Sequence, residues 1–166
     1  SSDVCSSDLN VMGNKLGNEQ LSKLQETMND RSTLVSLCGI DKDATEVNLS
    51  SLTMDADDAT ILASELSRNT ALVKLDISRN DLCEAGTTAV AHALRGNTRL
   101  TELNISDIKM SSNSEEWVRA IMDAIPTMKA LVSVNIFRNN MNNITLVRKF
   151  ANVLEKHMTL KSLCGH

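Results

Sequence analysis

The stretch LVKLDISRNDL, Leu72 to Leu82, decides the fold. Its apolar residues fall at Leu72, Leu75, Ile77 and Leu82, with Asn80 between the last two. Leu75 and Ile77 are two apart, so in an extended segment both point to one face while Lys74, Asp76 and Ser78 point to the other. One face is core and the other meets solvent or a partner. The spacing predicts that Asn80 turns inward where the strand ends, its amide satisfying backbone groups that the turn leaves unpaired. On this reading Leu75 tolerates no charge, whereas Asp76→Ala costs no more than about 0.5 kcal/mol, as at an exposed site.

The block Asp76 to Leu82 recurs at Asn10 to Leu16, Asn48 to Met54, Asn104 to Met110 and Asn135 to Met141. The core position just ahead of it is Val47, Leu75, Leu103 and Val134 in the last four copies, at intervals of 28, 28 and 31 residues, and Leu9 takes that place in the first. Between blocks the apolar period becomes helical. Asp55 to Arg68 puts Ala59, Leu62, Ala63 and Leu66 on one face, with Asp55, Asp57 and Asp58 where a helix N-terminus favours negative charge. Glu84 to Arg95 repeats this with Ala89, Val90, Ala93 and Leu94 and stops at Gly96, suited to a left-handed cap. Ser114 to Met128 opens on a serine cap candidate ahead of Glu115 and Glu116 and buries Trp117 or Val118 with Ile121 and Ile125, until Pro126 bends or ends the helix. Ile144 to Met158 carries Val147, Phe150, Ala151 and Leu154, and Leu21, Leu24 and Met28 form a shorter version.

After the helices comes a return signal of Asn or Thr and then leucine: NTALVKL from Asn69, NTRLTEL from Asn97, and in part MTLKSL from Met158. Strand, full helix and N-T-x-L-x-x-L leading into L-x-x-N-x-L resemble the ribonuclease-inhibitor-like class of leucine-rich repeats, found also in NOD-like receptors and Ran GTPase-activating proteins. The resemblance covers roughly Asn10 to Leu163. It implies an α/β fold: a curved solenoid with parallel strands on the concave face and helices on the convex face. Two departures stand out. The strand-end asparagine is present at Asn14, Asn80 and Asn139 but replaced by Leu52 and Ile108, so the ladder of buried amides is incomplete. LVSLCGI, Leu34 to Ile40, reappears as LKSLCGH at Leu160 to His166, and only ten residues separate Leu37 from Val47. That is too short for a strand, a helix and a return, so residues 37–46 read as a short strand and an irregular turn.

No Pro-rich, Ser-rich or charge-run linker divides the 166 residues, and with 42% of them hydrophobic one domain over residues 10–166 is expected. Residues 1–9, SSDVCSSDL, look like the in-frame translation of a sequencing adapter whose end, TCT TCC GAT CT, encodes Ser-Ser-Asp-Leu. The chain then reads as a fragment of a longer array. A net charge of -4 and 2% aromatics argue against a nucleic-acid surface, which needs a basic stripe or stacking rings. No apolar run approaches a membrane span of about 20 residues. Cys5, Cys38, Cys83 and Cys164 form no C-x-x-C pair and have no histidine at ligand spacing, which suggests neither a metal nor a redox site. Free thiols fit the cytoplasm.

No nucleophile, base and orienter converge in the sequence, and no cofactor is implied. His92 and His157 read as solvated helix histidines. Across the repeats the outward residues align as Glu46, Lys74, Glu102 and Ser133; then Asn48, Asp76, Asn104 and Asn135; then Ser50, Ser78, Ser106 and Phe137. The following turn adds Ser51, Arg79, Asp107 and Arg138. The expectation is a non-catalytic scaffold that binds a protein partner through Glu46, Asn48, Lys74, Asp76, Arg79, Glu102, Asn104, Asp107, Asn135, Phe137 and Arg138, with Phe137 as aromatic anchor. The resemblance supplies two rivals: a GTPase-activating regulator of a small GTPase, and a structural segment of a longer NOD-like receptor-type protein. Uncapped array ends at the helix from Ile144 and the strand at Leu163 predict self-association.

Overall fold

Alternation along LVKLDI holds in the computed structural model, where Leu75 is 2% exposed and lies between Val47 and Leu103 in the register of a parallel sheet, and it ends at Ser78, which is buried. The structure describes residues 9–30, 36–109, 115–141 and 143–162. Its elements are α1 (Asn18–Asp30), β1 (Glu46–Asn48), α2 (Ala56–Leu66), β2 (Lys74–Asp76), α3 (Cys83–Leu94), β3 (Glu102–Asn104), α4 (Glu116–Ala124) with a 3-10 turn at Ile125–Thr127, β4 (Ser133–Asn135) and α5 (Ile144–Glu155). The strands pair in chain order, each parallel to the last. Backbone bonds run on beyond the strands, as from Leu49 N to Asp76 O (2.8 Å) and from Ser51 N to Ser78 O (3.0 Å). One helix crosses between each pair of strands, and consecutive helices pack side by side on one face of the sheet.

That face is the core. Leu72, Ile77, Leu82, Leu100, Ile105, Leu131 and Val134 from the sheet layer meet Ala59, Leu62, Leu66, Val90, Leu94, Ile121 and Phe150 from the helices. α2 begins in a capping box: the Asp55 carboxylate accepts from Asp57 N and Asp58 N, and Asp58 accepts back from Asp55 N. Gly96 adopts φ +74° just past α3, as the sequence predicts. Trp117 and Val118 are both buried, and α4 gives way to the 3-10 turn that holds Pro126. Two helical faces, those of α3 and α5, are rotated from expectation. Ala89 and Ala93 are half-buried while Ala91, Gly86 and Thr87 go inside, and on α5 Leu146 is buried while Ala151 is exposed. Ser114 and the side chains of Leu21 and Met28 lie outside the described residues.

Asn80 is buried and makes five hydrogen bonds. Its Nδ2 donates to Leu49 O, Ile77 O and Ser78 O, and its Oδ1 accepts from Leu52 N and Met54 N at 3.1 Å each. Asn139 likewise donates to Ile105 O and Ile136 O and accepts from Ile108 N. One asparagine therefore satisfies its own turn and the turn of the repeat before it, which is how Leu52 and Ile108 stand without an amide. Asn14 does not share this role: it is exposed, and its Nδ2 donates to Val11 O at 2.8 Å.

The two SLCG copies have different fates. Ser36–Cys38 runs antiparallel to Leu9–Val11, with Leu9 N on Ser36 O and Val11 N on Leu37 O at 2.9 Å each. The block from Asn10 is therefore not a further parallel strand beside β1, because its backbone is already paired with the SLCG segment. Two acids of α2 hold this layer: Glu65 accepts from Ser36 Oγ (2.8 Å), Cys38 N (2.9 Å) and Leu37 N, and Asp58 accepts from Gly13 N (2.9 Å). The second copy instead extends the sheet, with Ser162 bridged in parallel to Ser133. Leu163 to His166, and residues 1–8, lie outside the described residues.

α2 and α3 cross closely at Gly86. A Cβ there would come within 2.7 Å of Ala59 Cβ and 3.1 Å of Ala56 Cα. Alanine has the better helix propensity by about 1 kcal/mol, yet the clash requires α3 to move away from α2, and overpacking of this kind costs roughly 1 to 3 kcal/mol. Gly86→Ala is expected to lower the thermal midpoint; a midpoint raised by the substitution would show that the helices separate freely.

The open face of the sheet as a candidate binding site

Opposite the helices, the outward strand residues stand in the rows that the register dictates. Glu46, Lys74, Glu102 and Ser133 form one row, and Asn48, Asp76, Asn104 and Asn135 form the next. These eight side chains edge a depression of about 350 Å³ over the sheet. Lys74 Nζ sits between Glu46 Oε1 at 3.2 Å and Glu102 Oε1 at 3.4 Å. The hydrogen bond with Glu46, and then the charge of Glu102, push the Lys74 ammonium above its ordinary range. These groups are solvent-exposed, so the pairs set the pattern of charge more than they stabilise the fold.

The second row has a structural duty as well. Asn48, Asp76, Asn104 and Asn135 each accept, through Oδ1, from the backbone N–H two residues on, at Ser50, Ser78, Ser106 and Phe137. Such Asx turns end each strand. Asp76 Oδ2 also accepts from Asn104 Nδ2 at 2.9 Å. Asp76 is thus half-buried and doubly bonded rather than freely solvated, which corrects the expected silence of Asp76→Ala to a cost near 1 kcal/mol. The signal for these turns is present in the sequence, since Asn or Asp opens every block.

Arg79, Asp107, Phe137 and Arg138 stand apart from the depression. Arg79, Asp107 and Arg138 have φ values of 56°, 53° and 61°, the left-handed conformation, and with Ser51 (φ 59°) they occupy the same turn position in successive repeats. Phe137 is 56% exposed at the edge of this face, one row beyond Asn135. The third row is mixed: Ser78 is buried, while Ser50 and Ser106 each donate to the asparagine two residues earlier, at 2.6 and 2.8 Å.

Cys38 is buried, and burial, reinforced by Glu65, pushes its thiol far above the ordinary range. Cys83 is exposed, its thiol raised by partial burial and by Asp81. Cys164 lies outside the described residues. His92 is exposed, but His157 is half-buried, its Nε2 3.0 Å from Ile125 O. Among the described residues no three His, Cys, Asp or Glu side chains come together as metal ligands.

No protein-family model matches the sequence, and none of the curated proteins matches it. Among solved structures the chain is similar to "Leiomodin-1 Actin-Binding Site 2 (ABS2)", with a TM-score of 0.65 and 20% identity, over 76% of this chain and 72% of that one. At that identity the likeness is one of fold. The α/β architecture is of a leucine-rich-repeat type.

Proposed function

We propose that the chain belongs to the ribonuclease-inhibitor-like class of leucine-rich repeats, continues as a curved solenoid, and acts in the cytoplasm as a non-catalytic scaffold that binds a protein partner on the open face of its sheet. The observation that carries the reading is the pair of stacked rows from Glu46 to Ser133 and from Asn48 to Asn135, exposed or half-buried on a face that the helices leave uncovered. Paired charges and amides on a regular backbone offer a partner fixed hydrogen-bonding positions with little side-chain entropy left to lose. Phe137 beside Arg138 adds an aromatic and a cation at the rim, residue types that anchor interfaces.

The structurally similar leiomodin-1 domain is described as an actin-binding site, which makes actin the first partner to test. Wild type and a Glu102→Arg/Asn104→Arg pair are sedimented with actin filaments and titrated against labelled actin monomer. The reading expects binding by wild type and a loss of about tenfold or more in the pair. Equal binding by both would move the site off the sheet, and binding by neither would remove actin as the partner.

A further inference from the structure

α4 has 9 residues and ends at Ala124, where the chain kinks through Ile125–Thr127 with Pro126 inside the 3-10 turn. α5 has 12 residues, packs against both α4 and this turn, and ends beside the turn, with His157 Nε2 3.0 Å from Ile125 O. A groove of about 550 Å³ opens there. Its apolar lining is Pro126, Val153 and Met158, and the Met158 side chain is wholly presented to solvent at 99% exposure. The charged residues on its wall are Lys129 and Lys156, with His157 following Lys156 and no acid among the lining residues. In a chain of net charge -4 this is a local reversal of sign.

The gap between the ends of α3 and α4, by contrast, is bridged by polar contacts. Between α3 and α4, Arg95 Nη2 pairs with Asp123 Oδ2 at 2.8 Å and Gly96 N donates to Thr127 Oγ1 at 2.8 Å. Neither Lys156 nor Lys129 takes part in an ion pair among the described residues. The groove is also preformed: His157 Nε2 is within hydrogen-bond distance of Ile125 O, and the Thr159 hydroxyl donates to Leu131 O at 2.7 Å. Apolar lining residues, two ammonium groups with no ion pair among the described residues and a fixed wall select an occupant that is apolar at its centre and anionic at its flanks.

We propose that this groove is a docking site for a short acidic segment of a partner protein. An apolar side chain of that segment packs on Pro126, Val153 and Met158 while its carboxylates meet Lys129 and Lys156. The site is separate from the sheet face and does not depend on the reading given for that face.

The test uses the full chain with methyl-labelled methionine, the Met158 resonance assigned by Met158→Leu, and the synthetic peptide Asp-Glu-Leu-Leu-Glu-Asp as probe. The peptide is expected to shift the Met158 methyl saturably. The Lys129→Glu/Lys156→Glu pair, both sites being exposed, should keep the wild-type melting curve and bind the peptide about tenfold more weakly or worse. Two outcomes overturn the proposal outright: an unmoved Met158 methyl, and an equal response to Asp-Glu-Ser-Ser-Glu-Asp, which would mean charge attraction without a seat for the apolar side chain. A third is binding to phosphatidylserine vesicles that the double variant abolishes while the peptide gives no response; that would assign the groove to an anionic lipid surface.

Discussion

Leu75→Asp is expected to leave no cooperative unfolding transition at all. Leu75 is 2% exposed and flanked in register by Val47 and Leu103, so the new carboxylate has neither water nor a cation to meet. Truncation to alanine at such a site costs about 2 to 5 kcal/mol, and an unpaired charge adds several more. A domain holds only about 5 to 15 kcal/mol in total. Asp76→Ala, one residue along, removes the bonds to Ser78 N and Asn104 Nδ2 and should lower stability by only about 1 kcal/mol. Urea titrations of the two variants decide the matter, and coincident midpoints would overturn the inside and outside assignment.

The second large effect is expected at Asn80→Leu, a substitution with the same branching that fills the site but cannot hydrogen-bond. It strands Leu52 N and Met54 N, together with Leu49 O and Ile77 O, in the interior. With roughly 1 to 3 kcal/mol for each buried group left unpaired, a loss of about 3 kcal/mol or more follows, spread over two repeats because Asn80 serves both. Asn14→Leu, at the matching block position but exposed, should stay within about 0.5 kcal/mol. Similar losses for the two variants would mean that the five bonds of Asn80 contribute no more than one bond at the surface.

Much of the sheet face was legible before any coordinates. Strand register follows from repeat length, so once Val47, Leu75, Leu103 and Val134 are aligned, the rows from Glu46 to Ser133 and from Asn48 to Asn135 must stack. The turn residues were harder to place. Arg79, Asp107 and Arg138 sit outside the depression because each lies in a left-handed turn beyond the strand, where alternation no longer fixes direction. The burial of Asp58 and Glu65 was not legible either. An acid on a helix reads as solvated, and both are buried because backbone N–H groups distant in sequence, at Gly13, Leu37 and Cys38, need acceptors.

By itself the sequence determined the alternation of strand and helix, the period of the repeats, the inward role of Asn80 and the outward set on the strands. Each of these depends on backbone geometry over a few residues, and the pattern is reinforced by repetition. Only the tertiary structure decided what SLCG does: the first copy pairs antiparallel with Leu9–Val11 under Glu65, while Ser162 of the second joins β4 in parallel. Only the tertiary structure required Gly86, where α3 meets Ala56 and Ala59 of α2. The same residues in the same order met different neighbours, and an extended segment takes its pairing from whichever backbone edge and acceptor lie beside it rather than from its own side chains.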